Sequence, residues 1–269
     1  MSSAEGGRRS GPVVALALIA AVGLFGCGPA EGRTGGSSSS GGRLTVLAAA
    51  SLTQVFTAIG RDFERGHPGS TVRFSFGPSD GLAEQIIEGA PGDVYASASP
   101  VEMDRVQTQG PGVDHRGDFA RNSLTVITPA DDPAGIVSLR DLTRPGVELV
   151  LAAEGVPAGD YAREVLRNAG ILAAATANVV SNESDVKGVV QKVLLGEADA
   201  GIVYRTDVTP DVASRVRQID IPPSLNVMAD YPIAVVDGSP HPDLAAAFVR
   251  YVLGPGQEVL RRYGFGPPG

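Results

Sequence analysis

Small and hydroxyl residues stand at several points where an apolar run, suited to a buried strand, gives way to a helical pattern. Ser51 follows one such run, and Ser79 follows the next. In an open α/β sheet, ligands bind beyond the carboxyl ends of the strands, where helix N-termini offer unpaired N–H groups and a positive dipole end to an anion. Anion binding is therefore the chemistry that these positions could perform.

The same serines also have a purely structural interpretation. Residues 51–54 (SLTQ) match a capping box, in which the Ser51 hydroxyl would satisfy its own helix. Either Ser79 or the neighbouring Asp80 could likewise cap the helix that follows. From these residues alone, a helix cap and an anion site both remain open.

Other chemistries leave no recognisable pattern in the sequence. No Gly-x-Ser-x-Gly elbow, Walker loop or Gly-x-Gly-x-x-Gly fingerprint follows a strand, so the usual nucleophile and nucleotide-binding loops are missing. The carboxylates, Asp185 among them, show no spacing that selects an acid/base pair. The single cysteine and the three histidines have no zinc-site spacing. We therefore expect no catalytic residue, no cofactor and no free metal cation site.

The composition is that of a globular, acidic protein. The 269 residues are 43% hydrophobic and 19% charged, which allows one or two cores. Lys and Arg total 22 against 30 Asp and Glu, so the formal net charge is -8. A basic footprint for a phosphate backbone is absent, and nucleic acid is not an expected partner.

Strand and helix patterns alternate along the body of the chain. Strands are predicted at residues 44–50, 71–76, 93–98, 123–128, 148–152, 200–204, 216–221 and 233–236. Helices are predicted between most of them, including 160–168 and an apolar stripe at 186–194, and two more at 243–253 and 257–263. This alternation predicts α/β layers with mainly parallel pairing.

The first residues have the pattern of a targeting signal. Arg8 and Arg9 precede an apolar stretch at residues 12–25, which is shorter than a membrane-spanning helix requires. The stretch ends in Leu-Phe-Gly before Cys27, the only cysteine in the chain. This segment resembles a bacterial lipoprotein signal, in which the cysteine is lipidated and becomes the mature N-terminus. An ordinary secretory peptide with an incidental cysteine is the alternative.

A tether follows the proposed lipidation site. Residues 28–42 are rich in Gly and Ser, and such a segment behaves as a flexible coil that buries nothing. We therefore expect residues 1–27 to be a signal ending at the lipidated Cys27, residues 28–42 to be a tether, and the folded body to start near Arg43. The body would then be held close to a membrane surface.

Short motifs along the folded body resemble those of the periplasmic molybdate-binding proteins of ABC importers. They are residues 47–53 (LAAASLT), 76–82 (FGPSDGL), 88–98 (EGAPGDVYASA), 156–162 (VPAGDYA), 185–188 (DVKG), 201–204 (GIVY) and 262–265 (RYGF). Each motif is only moderately specific, but together they occur in the right order across essentially the whole body.

The resemblance implies an α/β fold of the two-lobed periplasmic solute-binding type (type II), with the ligand in the cleft between the lobes. Lobe one would comprise residues 43–121 plus 231–269, and lobe two residues 122–230. Two crossovers between the lobes would form a hinge.

The resemblance also implies which residues hold the oxyanion. Lobe one would supply hydroxyl and N–H groups, and lobe two would supply backbone N–H groups and a phenol. The implied ligand-binding residues are Ser51, Ser79, Ala158, Val186 and Tyr204.

Molybdate suits a site of this kind because it is a proton-free dianion at neutral pH and needs hydrogen-bond donors only. A protonated phosphate would bring a donor that a cage without acceptors leaves unpaired, whereas only cavity size could exclude sulfate.

Two residues depart from the family pattern. Asp80 stands where the family commonly has a small hydroxyl residue, and its carboxylate would repel the ion unless it turns away. Pro78 removes one N–H group.

The expected function is therefore an extracytoplasmic lipoprotein that captures molybdate, or tungstate, and delivers it to an ABC importer. Its partners would be the oxyanion, the importer's membrane subunits and, through the lipid anchor, the extracytoplasmic face of the cell membrane; a monomer is expected. Two alternatives remain. The same fold could bind another oxyanion, such as sulfate, or an organic anion, and an enzyme on a two-lobed α/β scaffold would rest on fold analogy alone.

Overall fold

A computed structural model of the protein describes residues 42–269. The predicted lipoprotein signal at 1–27, its Cys27 and all but the last residue of the predicted tether lie outside the described residues. Among residues 42–269, no helix is long and apolar enough to cross a membrane.

Nine strands and nine helices make up the described part of the chain. The strands are β1 (Arg43–Ala49), β2 (Thr71–Gly77), β3 (Val94–Ala96), β4 (Val113–Pro129), β5 (Leu149–Ala152), β6 (Val179–Glu183), β7 (Ala200–Tyr204), β8 (Val216–Asp220) and β9 (Met228–Val236). The helices are α1 (Thr53–Gly66), α2 (Ser79–Ile87), α3 (Pro100–Gln109), α4 (Pro157–Asn168), α5 (Leu172–Thr176), α6 (Val186–Leu194), α7 (Pro210–Ala213), α8 (Pro242–Leu253) and α9 (Gln257–Arg262). Short 3₁₀ turns lie at Ala50–Leu52, Leu139–Thr143 and Arg205–Asp207.

The strands follow the order β2-β1-β3-β9-β4-β7-β5-β6, and β8 also pairs with β4. The long strand β4 changes partners along its length. Its residues 113–123 pair with β9, whereas residues 124–129 pair with β7 and β8. Strand β4 therefore links a first group of strands, β1, β2, β3 and β9, to a second group, β5, β6, β7 and β8.

The expectation of mainly parallel pairing is wrong. Of the eight strand pairs in the described residues, four are parallel and four are antiparallel. Every antiparallel pair involves β4 or β9, the two long strands that join distant parts of the chain. An apolar run predicts burial but not strand direction, because residues on both kinds of strand alternate between faces in the same way.

The predicted elements otherwise agree closely with the observed ones. Strand β6 is an exception that the patterns missed, because its side chains are exposed or half-buried and form no apolar run. Strand β4 extends about ten residues before the predicted 123–128, through a polar stretch in which Asp, His and Arg residues are exposed.

Helix α1 is held tightly against the first group of strands. Its apolar stripe includes Phe56 and Phe63, whose rings contact that of Phe248 on α8. Gly60 lies on the same face, where a β-carbon would stand only 2.6 Å from the ring of Phe74 on β2. This close approach fixes the N-terminus of α1 at the carboxyl end of β1, which is where Ser51 lies.

Candidate functional site

All five residues that the sequence singled out line one cavity. The cavity wall consists of Ala49, Ala50, Ser51, Gly77, Pro78, Ser79 and Ala98 from the first group of strands and their helices, and of Val156, Pro157, Ala158, Asp185, Val186 and Tyr204 from the second. Its volume is about 20 Å³. One water molecule requires about 10–15 Å³, whereas pockets for organic ligands usually measure about 300–1,000 Å³. The cavity therefore suits a small ion.

Ser51 does not cap its helix. It lies in the 3₁₀ turn before α1, and neither that turn nor α1 has a side-chain cap hydrogen bond. Its hydroxyl instead lies 3.1 Å from the hydroxyl of Tyr231 on β9. The capping-box interpretation is wrong because the 3₁₀ turn places Ser51 ahead of the α-helix and aims its side chain at the opposite strand.

A series of hydrogen bonds from Asn122 through Tyr231 leaves the Ser51 hydroxyl proton free to donate into the cavity. Asn122 Nδ2 donates to the Tyr231 hydroxyl at 3.5 Å and to Thr206 Oγ1 at 2.8 Å. Because the Tyr231 oxygen accepts from Asn122, the Tyr231 proton is available for Ser51 Oγ. Ser51 can then donate its own proton to an acceptor in the cavity.

Ser79, which follows strand β2, is also held by hydrogen bonds that leave its hydroxyl proton free. It is the first residue of α2, after Pro78, and it makes no cap hydrogen bond, so the prediction that Ser79 or Asp80 caps this helix is wrong. The Ser79 hydroxyl oxygen accepts from the Ala98 N–H at 3.0 Å, and its carbonyl accepts from the Tyr95 hydroxyl at 2.7 Å. These contacts orient Ser79 and leave its hydroxyl proton to donate.

Ala158 and Val186 present backbone N–H groups from first helical turns. Helix α4 begins at Pro157, three residues before the predicted start, because proline fits the first position of a helix. Ala158 is therefore inside the first turn, where N–H groups have no acceptor within the helix. At α6, the Asp185 carboxylate accepts from the N–H groups of Lys187 and Gly188 at 2.8 and 3.0 Å. The cap thus leaves the Val186 N–H for the cavity.

Tyr204 provides the most informative side chain of the site. The residue is only 1% exposed, and its hydroxyl has no hydrogen-bond partner among residues 42–269. Burial raises the pKa of this phenol well above its ordinary value, so the hydroxyl stays protonated at neutral pH. A buried, unpaired hydroxyl costs about 1–3 kcal/mol, which predicts that an acceptor belongs beside it.

An ion pair between Lys187 and Asp207 connects the segments that carry two cavity residues, Val186 and Tyr204. Asp207, 1% exposed, accepts from Lys187 Nζ at 2.6 Å through one oxygen and from the Tyr204 N–H at 3.3 Å through the other. Burial raises the Asp207 pKa, and the Lys187 charge opposes that rise. The pair therefore ties the end of β7 to the start of α6.

Asp80 is not part of the wall of the cavity as described for residues 42–269. One of its carboxylate oxygens is buried with no hydrogen-bond partner among those residues. Burial also raises its pKa, while the backbone N–H groups of its own turn and Arg105 oppose that rise. Asp80 thus follows the cavity residue Ser79 directly in the chain but does not itself line the cavity.

Sequence reasoning missed the residues that support the donors, chiefly Tyr231, Asn122 and Asp207. Tyr231 contacts Ser51 across 180 positions of the chain, and no local pattern encodes such a contact. Within the described part of the chain, no three His, Cys, Asp or Glu side chains are grouped to hold a metal ion.

Comparison with known proteins gives a consistent result. A family profile described as bacterial extracellular solute-binding protein matches residues 44–266. The molybdate-binding protein ModA of Mycobacterium tuberculosis is 39% identical over 263 residues, which cover 95% of this chain and 97% of that protein.

Two solved structures share the fold. The Azotobacter vinelandii periplasmic molybdate-binding protein aligns with a TM-score of 0.73 at 21% identity, over 84% of this chain and 100% of its own. The sulfate-binding protein SubI of Mycobacterium tuberculosis H37Rv aligns with the same TM-score at 20% identity, over 84% of this chain and 86% of its own. At such identities the structures establish a shared two-lobed solute-binding fold and leave the ligand to be argued from the site.

Proposed function

Because the chain belongs to the bacterial extracellular solute-binding proteins and, among them, to the molybdate-binding family, we propose that it captures molybdate, or tungstate, for an ABC importer. The observation that carries this proposal is the buried Tyr204 hydroxyl, which has no hydrogen-bond partner among residues 42–269 and lines a cavity of ion size. Acting in capture and delivery, the protein would perform no catalysis and need no cofactor.

The proposed ligand is held by donors alone. Tyr204, Ser51 and Ser79 each have a hydroxyl proton to donate, and first-turn N–H groups converge on the same cavity. The proposed contacts are Ser51, Ser79, Ala158, Val186 and Tyr204. Charge-assisted hydrogen bonds from such fixed donors stabilise a dianion without a counter-ion.

The cavity also bears on the competing ligands. An organic anion of ordinary size exceeds a cavity of about 20 Å³. A protonated phosphate would present a hydrogen that backbone N–H groups cannot accept. A hydroxyl could accept it only by turning its own proton away from the anion, and the lost or unpaired hydrogen bond costs about 1–3 kcal/mol. Sulfate matches the donors in charge, so its exclusion depends on the size of the cavity.

We propose that the cavity lies between two lobes, residues 43–121 plus 231–269 and residues 122–230. The switch of β4 from β9 to β7 and β8 after Ser123 supports this boundary, as does the composition of the cavity wall. Closure of the lobes would shield the ion from water. Small-angle scattering should show a smaller radius of gyration with molybdate, and an unchanged radius at saturation would contradict closure.

We further propose that the protein acts as a monomer tethered to the extracytoplasmic face of the cell membrane through lipidated Cys27. The lipoprotein-like end of the apolar stretch and the Gly/Ser-rich residues 28–42 support this anchor. More than one acyl chain is expected, since a single chain holds a protein only weakly.

A thermal-shift panel of oxyanions tests the proposed ligand. Molybdate and tungstate at 1,000 times their dissociation constant should stabilise the protein by about 4 kcal/mol. Sulfate should stabilise it less, and phosphate, weakened by about 1–3 kcal/mol, should contribute only about 1–3 kcal/mol at the same concentration. A protein that responds to sulfate more strongly than to molybdate would contradict the proposal.

A further inference from the structure

An acidic protein that captures a dianion faces an electrostatic difficulty. Its net charge is -8, and Asp185 lies in the wall of the cavity itself. On one flank of the cavity, the carboxylates of Asp80, Glu102 and Asp160 lie close enough together that each of Asp80 and Glu102 is influenced by Asp160. An anion that approaches from this flank meets repulsion.

A second, open groove has a volume of about 1,070 Å³, and none of these four carboxylates lines it. Its walls come from α1, from the segment at residues 205–211 and from the end of α9. Three of its four charged side chains are arginines, Arg61, Arg205 and Arg262, and Asp211 is the only carboxylate in its described wall. The groove is therefore a positive region on a negative protein.

Two of the arginines are available to an incoming anion. Arg205 pairs with Asp220, whereas Arg61 and Arg262 make no ion pair within residues 42–269. All three side chains are exposed to solvent. The positive charge of Arg61 and Arg262 is consequently not cancelled by an ion pair within the described chain.

The groove and the cavity share no lining residue, but the chain brings them close together at two points. Thr53 lines the groove two residues after Ser51, and Thr206 lines it two residues after Tyr204. Two residues span at most about 7 Å of chain. The wall of the groove therefore comes within about 7 Å of the main chain of both Ser51 and Tyr204, one from each half of the cavity wall.

We propose that this basic groove is the capture path of the oxyanion, and that its arginines set the rate of association and leave the rate of dissociation unchanged. The inference rests on the proposed function. A cleft lined by charge of one sign focuses the field and raises the local concentration of an oppositely charged ligand. Arginines outside the cavity do not touch the bound ion, so they affect its arrival and not its release.

Stopped-flow fluorescence with molybdate as the probe measures both rates. The chain contains six tyrosines and no tryptophan, so the intrinsic fluorescence comes from tyrosine and includes Tyr204 and Tyr231 beside the cavity. The double variant Arg61→Gln/Arg262→Gln should lower the association rate about 3- to 10-fold at low ionic strength and leave the dissociation rate unchanged. The difference should shrink at 0.5 M salt, because salt screens exposed charges.

A matched control distinguishes the effect of the groove arginines from the effect of a change in net charge. Arg73→Gln/Arg140→Gln removes two exposed arginines outside the groove, neither with an ion pair in the described residues, and should leave the association rate near that of the wild type. Equal association rates for the two double variants would overturn the capture path while leaving the proposed function intact, and so would a faster dissociation in the groove variant. A wild-type protein that shows no molybdate binding in parallel calorimetry would overturn the proposed function and the capture path with it.

Discussion

Replacing Tyr204 by phenylalanine removes a single donor and keeps the ring in place. The ring stays packed against Tyr231, with centroids 5.9 Å apart, so the loss is confined to the hydroxyl. Because that hydroxyl has no partner among residues 42–269, Tyr204→Phe should leave the free energy of unfolding of the ligand-free protein unchanged or slightly raised.

Tyr204→Phe should, in contrast, weaken the binding of molybdate. A charge-assisted hydrogen bond to a desolvated dianion contributes about 1.5–3 kcal/mol, which corresponds to a dissociation constant about 10- to 150-fold higher. At a molybdate concentration 1,000 times the wild-type dissociation constant, the wild type should gain about 4.1 kcal/mol, and a variant weakened 100-fold only about 1.4 kcal/mol.

Calorimetry and thermal unfolding, with and without molybdate, measure both quantities. Tyr251→Phe is the control, since Tyr251 packs against Phe63 and does not line the cavity; its affinity for molybdate should equal that of the wild type. Wild-type affinity in Tyr204→Phe, or a large loss of stability in its ligand-free form, would refute the assignment of this hydroxyl as a ligand donor.

Three further changes test the surroundings of the site and the anchor. Lys187→Met leaves the buried Asp207 carboxylate unpaired and should lower the free energy of unfolding at pH 7 by about 3–5 kcal/mol in urea titrations, whereas Lys187→Arg should recover most of it; equal stability of the methionine variant would contradict a buried ion pair. Burial raises the pKa of Asp80 in the folded protein, so its contribution to stability is present at low pH and is lost as pH rises through that raised pKa. Asp80→Asn should therefore raise the melting temperature more at pH 7 than at pH 4 and should tighten molybdate binding; a gain that is equal at both pH values would refute the reasoning. Cys27→Ser should move the protein from the membrane fraction to the soluble fraction, and unchanged fractionation would rule out a lipid anchor at this residue.

The sequence predicted the positions of the site better than the contacts that organise it. Ser51 and Ser79 stand at junctions that a buried strand and the following helix mark with a local, periodic pattern, whereas Ala158, Val186 and Tyr204 were implied by the resemblance to the molybdate-binding family. That pattern could not distinguish a helix cap from a ligand donor at Ser51. The decision depends on Tyr231, which lies 180 positions away on a strand whose pairing no local pattern reveals.

The parallel or antiparallel pairing of the strands could not be predicted from the sequence for a related reason. Strands β4 and β9 join distant segments, and their antiparallel pairing is decided by tertiary contacts that alternate apolar residues do not encode. The start of α4 illustrates a smaller error of the same kind. The small residues Ala158 and Gly159 give its first turn little periodic signal, although Pro157 is a recognised signal for a helix start.

A crystal structure of the protein with molybdate tests the central claim most directly. The account predicts one ion in the cavity, with its oxygens about 2.7–3.2 Å from the hydroxyl groups of Ser51, Ser79 and Tyr204 and from the N–H groups of Ala158 and Val186. Sites in which the ion is held by the arginines of the basic groove, or in which the Tyr204 hydroxyl lies beyond hydrogen-bond distance of every oxygen, would contradict it.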